Sequence, residues 1–194
     1  AVADYMKCLK DNGITVILCL AMDDPTQEFD LANLSFVDGI VFRRNGGFDF
    51  CAWSSGIRVL PECWDARRLL LANDSMFVLP TLLPSFIEKV RGENADFLAV
   101  TDSFQLQYHS QSYFSMLQGT ALSHQKLRDY LTSLPVLSDK KDVIRSYELT
   151  FLSKMISDFG LTTKVMFPMQ DLFPRARKEE YGNLNITHTY WDYL

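Results

Sequence analysis

Cysteine and histidine are sparse: four Cys and three His among 194 residues, with no CxxC pair. A disulfide framework and a cysteine-ligated zinc site are thereby disfavoured, and Cys8, Cys19, Cys51 and Cys63 are expected to be buried, reduced thiols of a cytoplasmic protein. Basic charge is also short. With 19 Lys and Arg against 24 Asp and Glu, the net charge is -5 and the isoelectric point about 5.2. Such a surface does not neutralise a phosphate backbone, so no nucleic-acid partner is expected. Long apolar runs are missing as well. The longest, residues 15–22 and 68–72, fall far short of the roughly 20 residues a spanning helix needs, so no transmembrane segment is expected. Low-complexity tracts, internal repeats and a signal-peptide pattern are not seen.

What the chain does have is core. Its 47% hydrophobic content suits one folded domain over residues 1–194 and excludes disorder. The chain does not begin with Met and opens on a helical segment (2–12) with no strand before it, so it is expected to be a piece of a longer polypeptide. Residues 15–21 and 37–42 read as buried strands bounded by turn residues. Phe50, Trp53, Ile57 and Leu60 then recur at helical spacing, 69–72 is a short strand, 84–90 a short helix and 96–101 another strand. This rhythm predicts an α/β fold with a mostly parallel, Rossmann-like sheet and helices on both faces.

Open sheets of that kind bind ligands beyond the carboxyl ends of their strands, and polar residues collect there. The strands end in Asp23-Asp24, in Arg43-Arg44-Asn45, in Asp74 and in Asp102. The first pair lies beside a proline and reads as an ordinary turn. Asp74 lies between two apolar runs, where a carboxylate is expected to need a cation or metal as partner. Arg43 and Arg44 precede a Gly46-Gly47 turn that opens a helix, a place suited to anions; Asp49 there either caps the helix or binds a hydroxyl of the ligand.

The second half begins with an alternating run, 109–114, read as a strand with polar groups on one face. Residues 122–134 read as a helix in which His124 is simply solvated. The clearest helix is 142–159, with Ser138 or Asp139 as cap and Gly160 as stop. At 100° per residue, Glu148 falls inside its apolar stripe of Ile144, Tyr147, Phe151, Leu152, Met155 and Phe159. Such a carboxylate is either half of a buried ion pair with an arginine or a group facing a cleft, as general base or as binder of a substrate hydroxyl.

Five motifs then occur in order: Arg44-Asn45-Gly46-Gly47-Phe48-Asp49-Phe50-Cys51-Ala52-Trp53, Leu70-Leu71-Ala72-Asn73-Asp74-Ser75, Ala95-Asp96-Phe97, His109-Ser110-Gln111-Ser112-Tyr113-Phe114 and Ser146-Tyr147-Glu148. Together they resemble the rhamnan synthesis F family of glycosyltransferases, over residues 37–168 and again over 185–191. The resemblance implies a GT-A-like transferase moving a hexose or deoxyhexose, rhamnose foremost, from a UDP- or dTDP-sugar to a glycan acceptor. It implies Mn2+ or Mg2+ at Asp74, the one carboxylate of Asn73-Asp74-Ser75 where a DxD motif is usual, with His188 as late ligand. Arg43, Arg44, Asn45, Gly46, Asp49, Asn73, Asp74 and Ser75 would bind the donor. His109, Gln111 and Ser112 would face the acceptor, and Glu148 or Asp102 would be catalytic. The alternative is a non-catalytic carbohydrate-binding or scaffold domain. A nucleotidyltransferase is a third reading, though one expected to show a more basic glycine-rich loop. The sequons at Asn33, Asn73 and Asn185 are incidental if the chain is cytoplasmic.

Overall fold

The computed structural model describes residues 2–24, 26–28, 32–76 and 78–172. His188 lies outside them. Helix α1 (Val2–Asp11) leads to strand β1 (Ile17–Met22), which pairs in parallel with β2 (Gly39–Arg44) through Ile17 opposite Gly39 to Met22 opposite Arg44. Both strands begin two residues later than the apolar runs suggest, and they end one and two residues later. Helix α2 (Phe48–Val59) and a 3-10 turn (Pro61–Asp65) follow, then β3 (Arg68–Ala72) and α3 (Leu83–Arg91), whose Pro84 sits at the helix start where its missing N–H costs nothing.

From here the structure departs from the expected sheet. Strand β4 (Phe97–Ser103) is followed by β5 (His109–Ser110) and β6 (Phe114–Gln118), and β6 runs antiparallel to both β3 and β4. β5 continues along β4 antiparallel, pairing Asp102 with Ser110, and β7 (Thr163–Phe167) adds in parallel on the other edge of β4. The sheet is therefore a curled, largely antiparallel one beside a small parallel pair, and the mostly parallel, GT-A-like reading is incorrect. The physical reason is the connection after β4. Only residues 104–108 separate it from β5, and a parallel crossover needs a dozen or more. The fold remains α/β.

The run 109–114 is not one strand. Between the β4–β6 pairing, with Ala99 opposite Ser115, and the β4–β5 pairing, with Asp102 opposite Ser110, the second strand carries two extra residues. The surplus is a bulge at Ser112-Tyr113, which re-aims side chains as bulges do.

Packing follows the alternation of β4. Phe97 and Ala99 face a core built with Phe50, Trp53, Leu117, Phe151 and Met155, while Leu98 faces Val90, Phe114 and Met116. A third cluster joins α1 to α3 through Tyr5, Met6, Leu9, Leu83 and Ile87. Each fully buried large side chain contributes about 1.5–3 kcal/mol.

The expected helix at 122–134 is two helices, α4 (Thr120–Ser123) and α5 (Gln125–Thr132). His124 between them is a cap: its Nδ1 accepts the Leu127 N–H at 3.3 Å, and its ring packs against Phe159. The last long helix is α6 (Lys140–Val143), a π-helical turn (Ile144–Glu148) and α7 (Leu149–Ser157), followed by the short α8 (Met169–Leu172). Asp139 caps α6 by accepting from Lys141 and Asp142, and Gly160, at φ 63°, ends α7. All four cysteines are free thiols. Among the described residues no helix is long and apolar enough to cross a membrane.

Candidate functional site

The Trp53 indole N–H donates to the Ala72 carbonyl at 3.0 Å, fastening α2 to the end of β3. One helical turn earlier, Asp49 lies over the residue that follows, and Asn73 Nδ2 donates to Asp49 Oδ2 at 2.8 Å. Asn73 Oδ1 accepts the Ser75 N–H at 3.0 Å, a side-chain turn that leaves Asp74 exposed at its tip. The Asn73 N–H reaches the Tyr113 carbonyl at 3.3 Å, joining this turn to the bulge. Within the bulge the Tyr113 hydroxyl and Thr101 Oγ1 are 2.6 Å apart, and Ser112 Oγ donates to Glu148 Oε1 at 3.3 Å. A connected rim thus runs from Asp49 through Asn73 and the bulge to Glu148.

Two features of the rim tie geometry to charge. Glu148 ends the π-helical turn, so its angle about the helix is not that of an unbroken α-helix, and it sits half-buried beside Ser112. Single π turns of this kind commonly mark functional positions. Burial raises the Asp49 carboxyl above its ordinary 3.8, and the Asp74 charge adds to the rise; the Asn73 bond and the Lys140 charge oppose it. Asp49, Asp74 and Lys140 therefore share one electrostatic neighbourhood. A cation placed there would relieve the repulsion between the two carboxylates.

The expectation that Asp74 is enclosed between apolar runs is incorrect: Asp74 is exposed, and Asp49 is the half-buried carboxylate. The Arg-Gly-Gly turn is packed into the protein. Arg43 Nη2 bonds the Gly46 carbonyl, and its Nε is buried without a hydrogen-bond partner among the described residues. Asn45 bonds Asp23 Oδ1 at 2.8 Å, and the Gly47 N–H bonds the Leu137 carbonyl at 3.1 Å. Gly47 adopts φ 70°, and a Cβ there would meet Cys51 Sγ at 2.1 Å, so packing alone demands glycine. Arg44, the next residue along the strand, is exposed.

Asp102 is 2% exposed. It accepts the Met169 N–H at 2.7 Å, holding α8 against the sheet, and also receives the Tyr108 hydroxyl. His109 is buried with Nδ1 2.8 Å from the Gln107 carbonyl and Nε2 3.1 Å from Gln111 Nε2. A carbonyl can only accept, so the neutral ring carries its proton on Nδ1 and Nε2 takes the Gln111 N–H. His109 and Gln111 therefore bond each other, and Ser112 alone of the three expected acceptor residues joins the rim. Tyr113, Thr101 and Lys140 belong to the neighbourhood and were not singled out from the sequence. Tyr113 stands inside a recognisable motif, so only its hydroxyl went unweighed; nothing local marks Thr101 or Lys140.

As for ions, Asp49 and Asp74 offer the oxygen ligands that Mg2+ and Mn2+ take. Among the described residues no group of three or more His, Cys, Asp or Glu side chains is arranged to hold a metal. One or two protein carboxylates suffice when a bound phosphate supplies further oxygens, so the residues fit such an ion.

The family is set by sequence comparison: residues 16–181 match the model of rhamnan synthesis protein F, and the chain belongs to that family, which takes part in polysaccharide synthesis. It is 28% identical to the virulence protein VirA of Vibrio anguillarum over 84% of this chain and 53% of the relative. It is 25% identical to the uncharacterized protein y4gN of Sinorhizobium fredii over 78% of this chain and 41% of the relative. The chain spans about half the length of the curated relatives it matches. No solved structure matches it.

Proposed function

We propose that this chain carries a glycosyltransferase active site that moves a hexose or deoxyhexose, rhamnose foremost, from a UDP- or dTDP-sugar to a glycan acceptor. The observation that carries the reading is the rim, which joins Asp49, Asn73 and Asp74 to Ser112 and Glu148 in a member of a polysaccharide-synthesis family. Glu148 is the group we assign to the reacting centre. Half-buried and held by one weak hydroxyl bond, it is free to accept a proton from an acceptor hydroxyl or to face positive charge on the sugar. Ser112 positions it. Asn73 and Ser75 supply polar contacts for the donor. Asp49 and Asp74 would hold Mn2+ or Mg2+, which when bound would offset the charge of the leaving diphosphate. Lys140 and the exposed Arg44 are cations available for the same charge. Asp102, His109 and Gln111, each engaged with protein groups, are assigned to shaping the bulge.

The test is titration of UDP- and dTDP-sugars by calorimetry with and without Mn2+, with a transfer assay of Glu148→Gln. We expect donor affinity to rise with the ion, and the variant to bind donor normally while transferring at least about 100-fold more slowly. Transfer within a few-fold of the parent would remove Glu148 from the reacting centre. Sugar binding without transfer or hydrolysis by the parent would leave a carbohydrate-recognition domain.

A further inference from the structure

A second polar concavity lies at the other end of the sheet. The register that sets Ala72 against Phe114 at the rim sets Arg68 against Gln118 four residues earlier, roughly 13 Å along the strand. There a cleft of about 460 Å3 is lined by Arg67, Arg68, Arg128, Gln118 and Gly119, with Trp64 at its side. Three guanidinium groups around one cleft run against the composition of a chain with net charge -5.

Two of the three are held in place by the protein. Arg68 donates through Nε to Gln118 Oε1 at 2.9 Å and through Nη2 to the Arg91 carbonyl at 2.7 Å. Arg128 donates through Nε and Nη2 to the Leu122 carbonyl, with its guanidinium 5.3 Å over the Trp64 ring. A guanidinium has five N–H donors in a fixed fork, so these bonds orient each group and leave donors over. Arg67 is exposed at the cleft's edge. The one carboxylate among the lining residues, Glu93, is paired with Lys164 at 2.6 Å. Asp96, behind Gly119, receives Thr120 and Thr162 on its two oxygens. Burial above all, and then the neighbouring charges of Arg67 and Arg91, lower the pKa of Arg68 from its ordinary value, while the Glu88 charge opposes them.

We infer that this cleft binds a phosphate-bearing group, a diphosphate or phosphate ester, at a site separate from the carboxylate rim. Held guanidinium forks match phosphate geometry, and a bound phosphate would offset the charge of three guanidinium groups that line one cleft. Neither the rim nor the proposed transfer chemistry is needed for this site. Its phosphate has two possible sources, a small soluble ester and a lipid headgroup.

The experiment uses inorganic pyrophosphate as probe and amide NMR as readout, so the two ends of the sheet report separately. We expect pyrophosphate to shift the resonances of Gln118, Gly119 and Ser123, and Arg67→Gln to weaken that response about tenfold, the size of one lost charge-assisted bond. Arg128→Gln should weaken it as much, and because Arg128 also binds the Leu122 carbonyl its unfolding midpoint is measured alongside; Arg67, being exposed, carries the decision if that variant is unstable. Shifts confined to Asp49, Asn73 and their neighbours, or shifts at Gln118 that Arg67→Gln leaves unchanged, would overturn the inference. Co-sedimentation with phosphatidylcholine vesicles, with and without phosphatidylglycerol, identifies the source: binding that requires phosphatidylglycerol and is lost in Arg67→Gln assigns a headgroup, and none assigns a soluble phosphate ester.

Discussion

Asp96 and Asp49 are both half-enclosed carboxylates, one at each end of the mixed sheet, and burial acts on both in the same direction. At Asp96 it is outweighed. Thr120 and Thr162 each donate a hydroxyl and a backbone N–H, between 2.6 and 3.0 Å, and these bonds hold the carboxyl below its ordinary 3.8. At Asp49 the single bond from Asn73 does not outweigh it, and Asp74 adds repulsion, so the carboxyl is raised. A saturated carboxylate is a clasp: Asp96 ties the start of β4 to the starts of α4 and β7. An under-supplied one is a socket, whose folded state would gain from a cation.

The largest expected effect tests the clasp. Asp96→Ala strands four donors and should cost about 3 kcal/mol in urea unfolding at neutral pH. The sign with pH follows from the lowered pKa. The contribution is present above the unfolded value of 3.8 and is lost as pH falls through the lower folded value, so parent and variant should converge in acid. A constant difference between pH 7 and pH 3 would show that the lost stability is packing rather than charge.

The middle effect concerns the bulge that carries Ser112 to Glu148. Thr101→Val removes the partner of the Tyr113 hydroxyl, a 2.6 Å bond in a largely buried setting, and should cost about 1–2 kcal/mol. Tyr113→Phe should cost a similar amount, and the double variant less than the two together, since both remove one bond. Transfer should fall more than stability explains if the bulge positions Glu148. Additive losses would mean that the two hydroxyls do not depend on each other.

The sequence carried the local elements well and the long-range pairings poorly. The spacing of Phe50, Trp53 and Ile57 marks α2 because all three face one core, and Asp139 and Gly160 mark the ends of the last helical stretch because caps are local chemistry. Direction of pairing is not local. An alternating run such as 109–114 reads the same whether its partner is parallel or antiparallel, and the telling signal was the five-residue connection before it. Asp102 illustrates the same gap at the site. It stands near a strand end, as a ligand-binding carboxylate would, but its partner is the Met169 N–H, which no spacing reveals. Glu148 was singled out from its angle on a helix that in fact contains a π turn, and Asp49 without the burial and the nearby Asp74 charge that raise its carboxyl.

The smallest effect is the sharpest test of the comparison. Asp49→Asn keeps an oxygen to accept from Asn73 and removes the charge that Asp74 opposes. Because the folded pKa is raised, Asp49 stabilises the fold only while protonated: its contribution is complete below the unfolded value of 3.8 and disappears as pH rises through the folded value. At pH 7 the parent bears the cost of the buried charge, so the variant should be as stable as the parent or a few tenths of a kcal/mol more stable, an effect of a size common for half-exposed charges. The order should reverse in the presence of Mn2+ with UDP, which stabilises only a chain that binds it. Urea midpoints at pH 7, with and without Mn2+ and UDP, measure both. If Asp49→Asn loses as much stability as Asp96→Ala in the absence of ligand, Asp49 is a second clasp, and the rim is not built to receive a cation.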